Sequence, residues 1–206
     1  MYQPPHFRTE DPALAADLMR GYPFASLISN DDTGFPFVSH LPLHLEQHAG
    51  RFVLLGHCAK PNPHWRYLQA RPEALVTFLG PHAYMSPQVY PDKQRVPTWN
   101  YLTVHCKVQA RLVEEPLAKD RLLKKLIGDH EPAFAEQWRG LGEEFAHRML
   151  AGIVGFELDV LEWACKIKIN QHRPEAHAKM HAGYAGGNEN ERQLAAWMER
   201  LGMGGQ

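Results

Sequence analysis

A chain of 206 residues with a formal net charge of -1 and a pI near 6.9 is long enough for one large domain with a real core, and it lacks the basic excess of a broad nucleic-acid face. No apolar run reaches the length of a membrane-spanning helix, and Met1 to His6 has neither the basic start nor the apolar stretch of a signal peptide, so a cytoplasmic protein is expected. Cys58, Cys106 and Cys165 are odd in number, far apart and without Cys-x-x-Cys spacing, which predicts reduced core or near-core thiols rather than a disulfide framework.

In chain order, Asp11-Pro12 followed by Leu14, Leu18, Met19 and Gly21 predicts a short helix with Asp at its N-cap, Pro in its first turn and Gly at its stop. Phe24 to Ser29 reads as a strand and Asn30-Asp31-Asp32-Thr33-Gly34 as a turn. Phe35, Phe37, Leu41, Leu43 and Leu45 then alternate with polar residues and Pro, which completes a hairpin. After a second turn at His48-Ala49-Gly50, the continuous run Phe52-Val53-Leu54-Leu55 suits a strand covered on both faces. At Asn62-Pro63 a strand gives way to a helix; with Lys60 just upstream, this is either an ordinary junction or an anion site made of free N–H groups and an ammonium.

Leu75 to Leu79 is the next expected strand, and Gly80 to Pro87 an expected loop. From Leu102 to Leu112 apolar residues alternate with Thr103, His105, Lys107, Gln109 and Arg111, the period-two signature of a long antiparallel strand with one wet face. Trp99 and Tyr101 share the wet parity and call for a cover: a partner chain, a flat ligand, or ordinary packing. Pro116 to Ile127, closed by Gly128, predicts an amphipathic helix with Lys119, Arg121, Lys124 and Lys125 toward water. Residues 129 to 142 read as a connection and Glu143 to Leu150 as a short helix. Ile153 to Ile169 changes parity near Val160-Leu161, as a bulge or a tight bend between two strands would. Asn188 and Glu191 have the spacing of a capping box for a last helix, and residues 202–206 read as a frayed tail.

Six or seven strands joined mostly by short turns predict an antiparallel barrel rather than a βαβ sheet, and the absence of Gly-x-Gly-x-x-Gly excludes a Rossmann dinucleotide turn. Thirteen histidines raise a metal hypothesis, with His177 and His181 one helical turn apart. No His-Glu-x-x-His or Cys/His cluster supports it, so no metal ligand is assigned. No Gly-x-Ser-x-Gly or nucleophile triad is visible either.

Several multi-residue stretches in consistent order over residues 1 to 173 resemble one known family. They are Met1-Tyr2 through Pro5-His6-Phe7, Ser39-His40-Leu41-Pro42-Leu43, Gly56-His57 with Asn62-Pro63-His64-Trp65, Gly80-Pro81-His82-Ala83-Tyr84, Val96 to Tyr101, Ile153-Val154-Gly155-Phe156 and Lys168-Ile169-Asn170-Gln171. Together they are similar to the PaiB family of FMN-binding negative transcriptional regulators. The resemblance implies a mainly β, α+β fold: an antiparallel split β-barrel of the pyridoxamine-phosphate-oxidase-like kind with peripheral helices over residues 1–173. Beyond its reach, the capping box and the stripe Leu194, Trp197, Met198 and Leu201 predict a helical C-terminal segment, 174–206, packed on the same domain.

The resemblance further implies a homodimer with FMN in a groove between subunits. Ser39, His40, Leu41 and Pro42 would edge the flavin ring, and His57, Lys60 and Asn62 would hold the phosphate. Trp99 and Asn100 of the other subunit would cover the ring, with Lys166, Lys168 and Gln171 closing the site. A DNA or other transcriptional partner follows from the resemblance alone, since the basic helix Pro116 to Ile127 has no helix-turn-helix context. The rival readings are a flavin-dependent oxidoreductase acting on a small molecule, with His40 or His57 as acid or base, and a flavin-storing protein.

Overall fold

The computed structural model describes residues 1–204; Gly205 and Gln206, the end of the expected tail, lie outside the described residues. Along the chain come β1 (Arg8–Thr9), α1 (Pro12–Gly21), β2 (Phe24–Asn30), β3 (Pro36–Pro42), β4 (His44–His48) and β5 (Arg51–Ala59). Next are α2 (His64–Ala70), β6 (Glu73–Met85), β7 (Thr98–Val113), α3 (Pro116–His130), α4 (Phe134–Gly140) and α5 (Glu143–Ala151). The long β8 (Ile153–Lys168) and the helices α6 (Pro174–Ala185) and α7 (Glu189–Arg200) complete the fold. Among the described residues the strands form one eight-stranded sheet, ordered β3-β2-β6-β7-β8-β5-β4, with β1 on β8.

Contacts divide the chain into two compact units, one made of Met19–Phe78 and His105–Trp163, the other of Met1–Leu18, Leu79–Val104 and the chain from Ala164 onward. In the first unit the β2–β3 hairpin closes through Asp31, whose carboxylate accepts from the Thr33 N–H and hydroxyl and from the Phe35 N–H. These bonds, the Thr33 hydroxyl first, hold its pKa below the usual carboxylate value.

The alternation from Phe35 to Leu45 predicts one strand, but the structure makes two. β3 pairs with β2 and β4 pairs with β5, at opposite ends of the strand order, with only Leu43 between them. One residue spans about 3.8 Å, so the sheet must curl to bring its two edges together. Leu43 is buried, and its N–H donates to Pro23 O.

β5 is covered on both faces, as its unbroken apolar run predicts. Phe52 and Leu54 lie in the core, while Leu55 packs with Val113, Leu122 and Leu126 beneath α3. α3 starts at Pro116 because Glu115 caps it, accepting from the Leu117 and Ala118 N–H groups. It continues through Gly128 to His130, and residues 129–142 contain α4 instead of an unbroken connection.

The remaining differences lie in the long strands. Gly80-Pro81 signals a loop, yet β6 runs on to Met85. The proline's fixed φ suits extended chain, and a Cβ at Gly80 would come within 3.3 Å of Leu102 Cβ and O, so this glycine permits a close approach rather than a turn. β8 is a single strand in which burial moves from Phe156 and Leu158 to Cys165 and Ile167, the parity change expected near Val160. In the second unit, α7 begins with the expected capping box of Asn188 and Glu191. Cys58, Cys106 and Cys165 are buried and form no disulfide among the described residues.

Candidate functional site

The motif residues at the β3, β5 and α2 ends form a hydrogen-bonded clamp. His64 is 1% exposed, with Nδ1 2.9 Å from Ser39 Oγ and Nε2 3.0 Å from Ser29 Oγ. Asn62 Nδ2 donates to the same Ser39 Oγ at 3.0 Å, and Asn62 Oδ1 accepts the His64 N–H. The neutral imidazole is thus bonded at both nitrogens to serine hydroxyls, donating at one and accepting at the other. Burial pushes the His64 pKa down from 6.5 to about 4, which keeps the ring neutral at ordinary pH. Ser39 and Asn62 are therefore engaged in joining β2, β3 and α2.

His57 lies near the end of β5 and Lys60 just past it. His57 stands opposite Gly155, and a Cβ on Gly155 would meet Val113 Cβ at 3.3 Å and Lys119 Cγ at 3.4 Å. Residues directly opposite in an antiparallel pair share a face, so His57 faces the α3 side. Its Nδ1 is buried and without a partner among the described residues, and burial lowers its pKa. Beside this point is a cavity of about 410 Å³, within the range of small-molecule sites, lined by Lys60, Trp65, Lys119, Glu114 and an apolar wall including Leu112 and Val154. Trp65 is fixed by its indole N–H on Lys60 O, and Lys119 Nζ donates to Leu150 O. The donor set of the cavity, two ammonium groups beside a flat ring and apolar walls, fits a phosphate-bearing aromatic ligand.

On β3, His40 is exposed, with Nδ1 3.1 Å from Ser26 Oγ, while Leu41 and Pro42 are half-buried.

The other predicted residues belong to the second unit. Trp99 is 49% exposed and donates from Nε1 to His82 Nδ1 at 3.2 Å, with the Tyr84 ring edge-on 6.4 Å away. Asn100, one position on, takes the opposite parity and is fully buried. Its Nδ2 donates to Tyr184 Oη at 2.9 Å, and its Oδ1 has no partner among the described residues. Burial pushes the Tyr184 hydroxyl up to about 12. Lys166 Nζ donates to Tyr2 O at 3.1 Å, and Lys168 Nζ donates to Thr98 Oγ1 at 2.6 Å and Trp99 O at 2.7 Å. Gln171 folds back on its own turn, donating to Ile167 O and accepting the Ile169 N–H.

The structure thus brings Ser39 and Asn62 together, and Trp99 together with Lys168. Asn100 is engaged by Tyr184 of α6, and Gln171 by its own turn. Lys119 escaped the sequence reading because its helix periodicity points it to water; only the docking of α3 directs it to the cavity. His177 bonds Asn170 O and His181 bonds Glu199, and no group able to hold a metal occurs among the described residues.

Residues 1–162 match the protein family described as "Putative FMN-binding domain". Among curated proteins, the chain is 32% identical to the Bacillus subtilis Protease synthase and sporulation protein PAI 2 over 180 residues, which cover 85% of this chain and 84% of that one. An uncharacterized Saccharomyces cerevisiae protein is 32% identical over 104 residues, covering 48% of this chain and 60% of that one. Among solved structures, the FAD and heme binding protein of Mycobacterium smegmatis superposes with a TM-score of 0.63 at 16% identity, covering 78% of this chain and 73% of that one. The flavocytochrome Anf3 of Azotobacter vinelandii gives 0.61 at 15% identity, covering 80% of this chain and 71% of that one. At these identities the structural likeness shows the fold alone: a mainly β, α+β split barrel.

Proposed function

This chain belongs to the FMN-binding domain family and is an FMN-binding protein of the PaiB type; from that premise we propose where the flavin is held and what holding it serves. The observation that carries the placement is the cavity beside β5, in which Lys60 and Lys119 bring two cations together over a largely apolar wall. The phosphate lies against Lys60 and Lys119, with His57 behind them on the neighbouring strand β5. The backbone of Ser39, His40, Leu41 and Pro42 edges the ring. The Ser39–Asn62–His64 clamp contributes by fixing that backbone rather than by touching the ligand. Trp99 of the partner subunit covers the ring in a homodimer, with Lys166, Lys168 and Gln171 beside it; exposure of so large an aromatic as Trp99 supports a cover of this kind. FMN, when bound, supplies one- and two-electron transfer.

The biological role we propose is negative regulation of transcription, acting directly or through a protein partner in the cytoplasm. No helix among the described residues is long and apolar enough to cross a membrane. The basic helix α3 gives little support for direct DNA contact, because Lys125 pairs with Glu46, Lys124 with Asp120, and Lys119 is turned to the cavity. Residues 174–206 are read as a helical extension of the same domain, a reading supported by the Asn100–Tyr184 and Asn170–His177 bonds.

The test is a titration of flavin-stripped protein with FMN, followed by tryptophan and flavin fluorescence. Saturation at one FMN per chain is expected. Absence of binding to folded protein would defeat the placement and the role together.

A further inference from the structure

Lys166 and Lys168 project from alternate positions of β8 and share one aromatic ring: their ammonium groups lie 5.2 and 5.7 Å from the Tyr101 centroid, and Lys166 is also 5.6 Å from that of Tyr2. Lys166 is 6% exposed, yet among the described residues the two ammonium groups bond only the Tyr2 and Trp99 carbonyls and the Thr98 hydroxyl, with no carboxylate. Burial, and then the neighbouring Lys166, lower the pKa of Lys168. A buried ammonium with a second, partly buried one beside it and no carboxylate to neutralise them is costly, and ring faces and carbonyls offset only part of that cost. Of the six ammonium hydrogens, Lys168 directs two to Thr98 and Trp99 and Lys166 one to Tyr2, which leaves donors for another acceptor.

We infer that the Lys166–Lys168 pair, seated on Tyr101, is the receptor for the oxyanion group, carboxylate or phosphate, of a second small ligand that comes to the flavin. This rests on the flavin reading, because Lys168 grips the backbone of Trp99, the residue placed over the ring, and an anion on the pair is thereby held beside it. A small molecule rather than a nucleic acid is the occupant. Lys166 is too deeply buried for a duplex phosphate to reach, and the chain carries no basic excess. The FMN phosphate is not the occupant, because the Lys60–Lys119 cavity provides for it.

The experiment uses FMN-saturated protein titrated calorimetrically with inorganic phosphate and, separately, with benzoate. Saturable binding of either probe is expected, phosphate alone or benzoate alone giving the class of the oxyanion. Lys166→Gln and Lys168→Gln should each weaken it about tenfold or more, and Lys168→Arg should retain it. Since Lys168 is only partly buried, its variant stands should Lys166→Gln fold poorly. The inference is overturned if neither probe binds the FMN-saturated protein, if both glutamine variants bind the probes as tightly as the wild type, or if duplex DNA displaces phosphate with a steep salt dependence. Failure of the wild-type protein to bind FMN at all would instead overturn the flavin reading, while lysine-dependent phosphate binding in the flavin-free protein would still support the oxyanion receptor.

Discussion

Two side chains from one short motif illustrate how far residue type and residue role can separate. His64 and Lys60 stand four residues apart, yet one is sealed in a clamp and the other is exposed at a cavity. Lys60→Ala should weaken FMN markedly more than riboflavin, because only FMN carries the phosphate; equal losses measured by fluorescence titration would remove Lys60 from that role. For His64 the pH dependence follows from its low folded pKa. The folded state binds fewer protons than the unfolded state between about pH 4 and 6.5, so stability is fully present above 6.5 and is lost as pH falls toward 4. A shift of that size is worth roughly 3 kcal/mol. Urea melts across that window should show wild-type stability falling more steeply than that of His64→Gln, and parallel curves would deny the imidazole this part in the acid response.

At the scale of elements, the fold depends on a few joints where geometry leaves one solution. Leu43 is the whole link between β3 and β4, and it packs onto Gly56, where a Cβ would lie 2.5 Å from Leu43 Cδ2 and 2.8 Å from Phe156 Cε2. The expected strand through 35–45 fails at this point for a physical reason: side-chain alternation persists across a strand break, so periodicity alone does not reveal that the partner has changed. α7 is the opposite case, since its start is written locally. Asn188 accepts the Glu191 N–H at 3.2 Å, and Glu191 accepts the Asn188 N–H at 2.7 Å. Asn188→Ala should lower stability by about 1 kcal/mol, read as a shift in the urea midpoint with unchanged slope. No shift would mean that α7 is held by its buried Leu194, Trp197 and Met198 alone.

For the molecule as a whole, the proposal joins flavin binding to association. If the partner's Trp99 covers the ring, FMN and the dimer stabilise one another, and FMN should shift sedimentation from monomer toward dimer at limiting protein concentration while raising the melting temperature. A dimer whose dissociation is indifferent to FMN would place the flavin within one subunit. Trp99→Ala separates the cases further, since loss of the cover should weaken both FMN and riboflavin.

The sequence by itself determined the features that are local or repeated: the period-two strands, the caps of α1 and α7, the hairpin turn at Asp31, and the ordered motifs that mark an FMN-binding, PaiB-type chain. Each can be read there because backbone preference and side-chain alternation act over a few residues. Only the tertiary structure decided which motif residues are clamps and which line a cavity, that Lys119 turns from solvent toward Lys60, and that Lys166 is withdrawn from water beside the partly buried Lys168. Those facts depend on contacts between residues far apart in the chain, and burial, charge compensation and hydrogen-bond satisfaction are properties of an environment that no single segment carries.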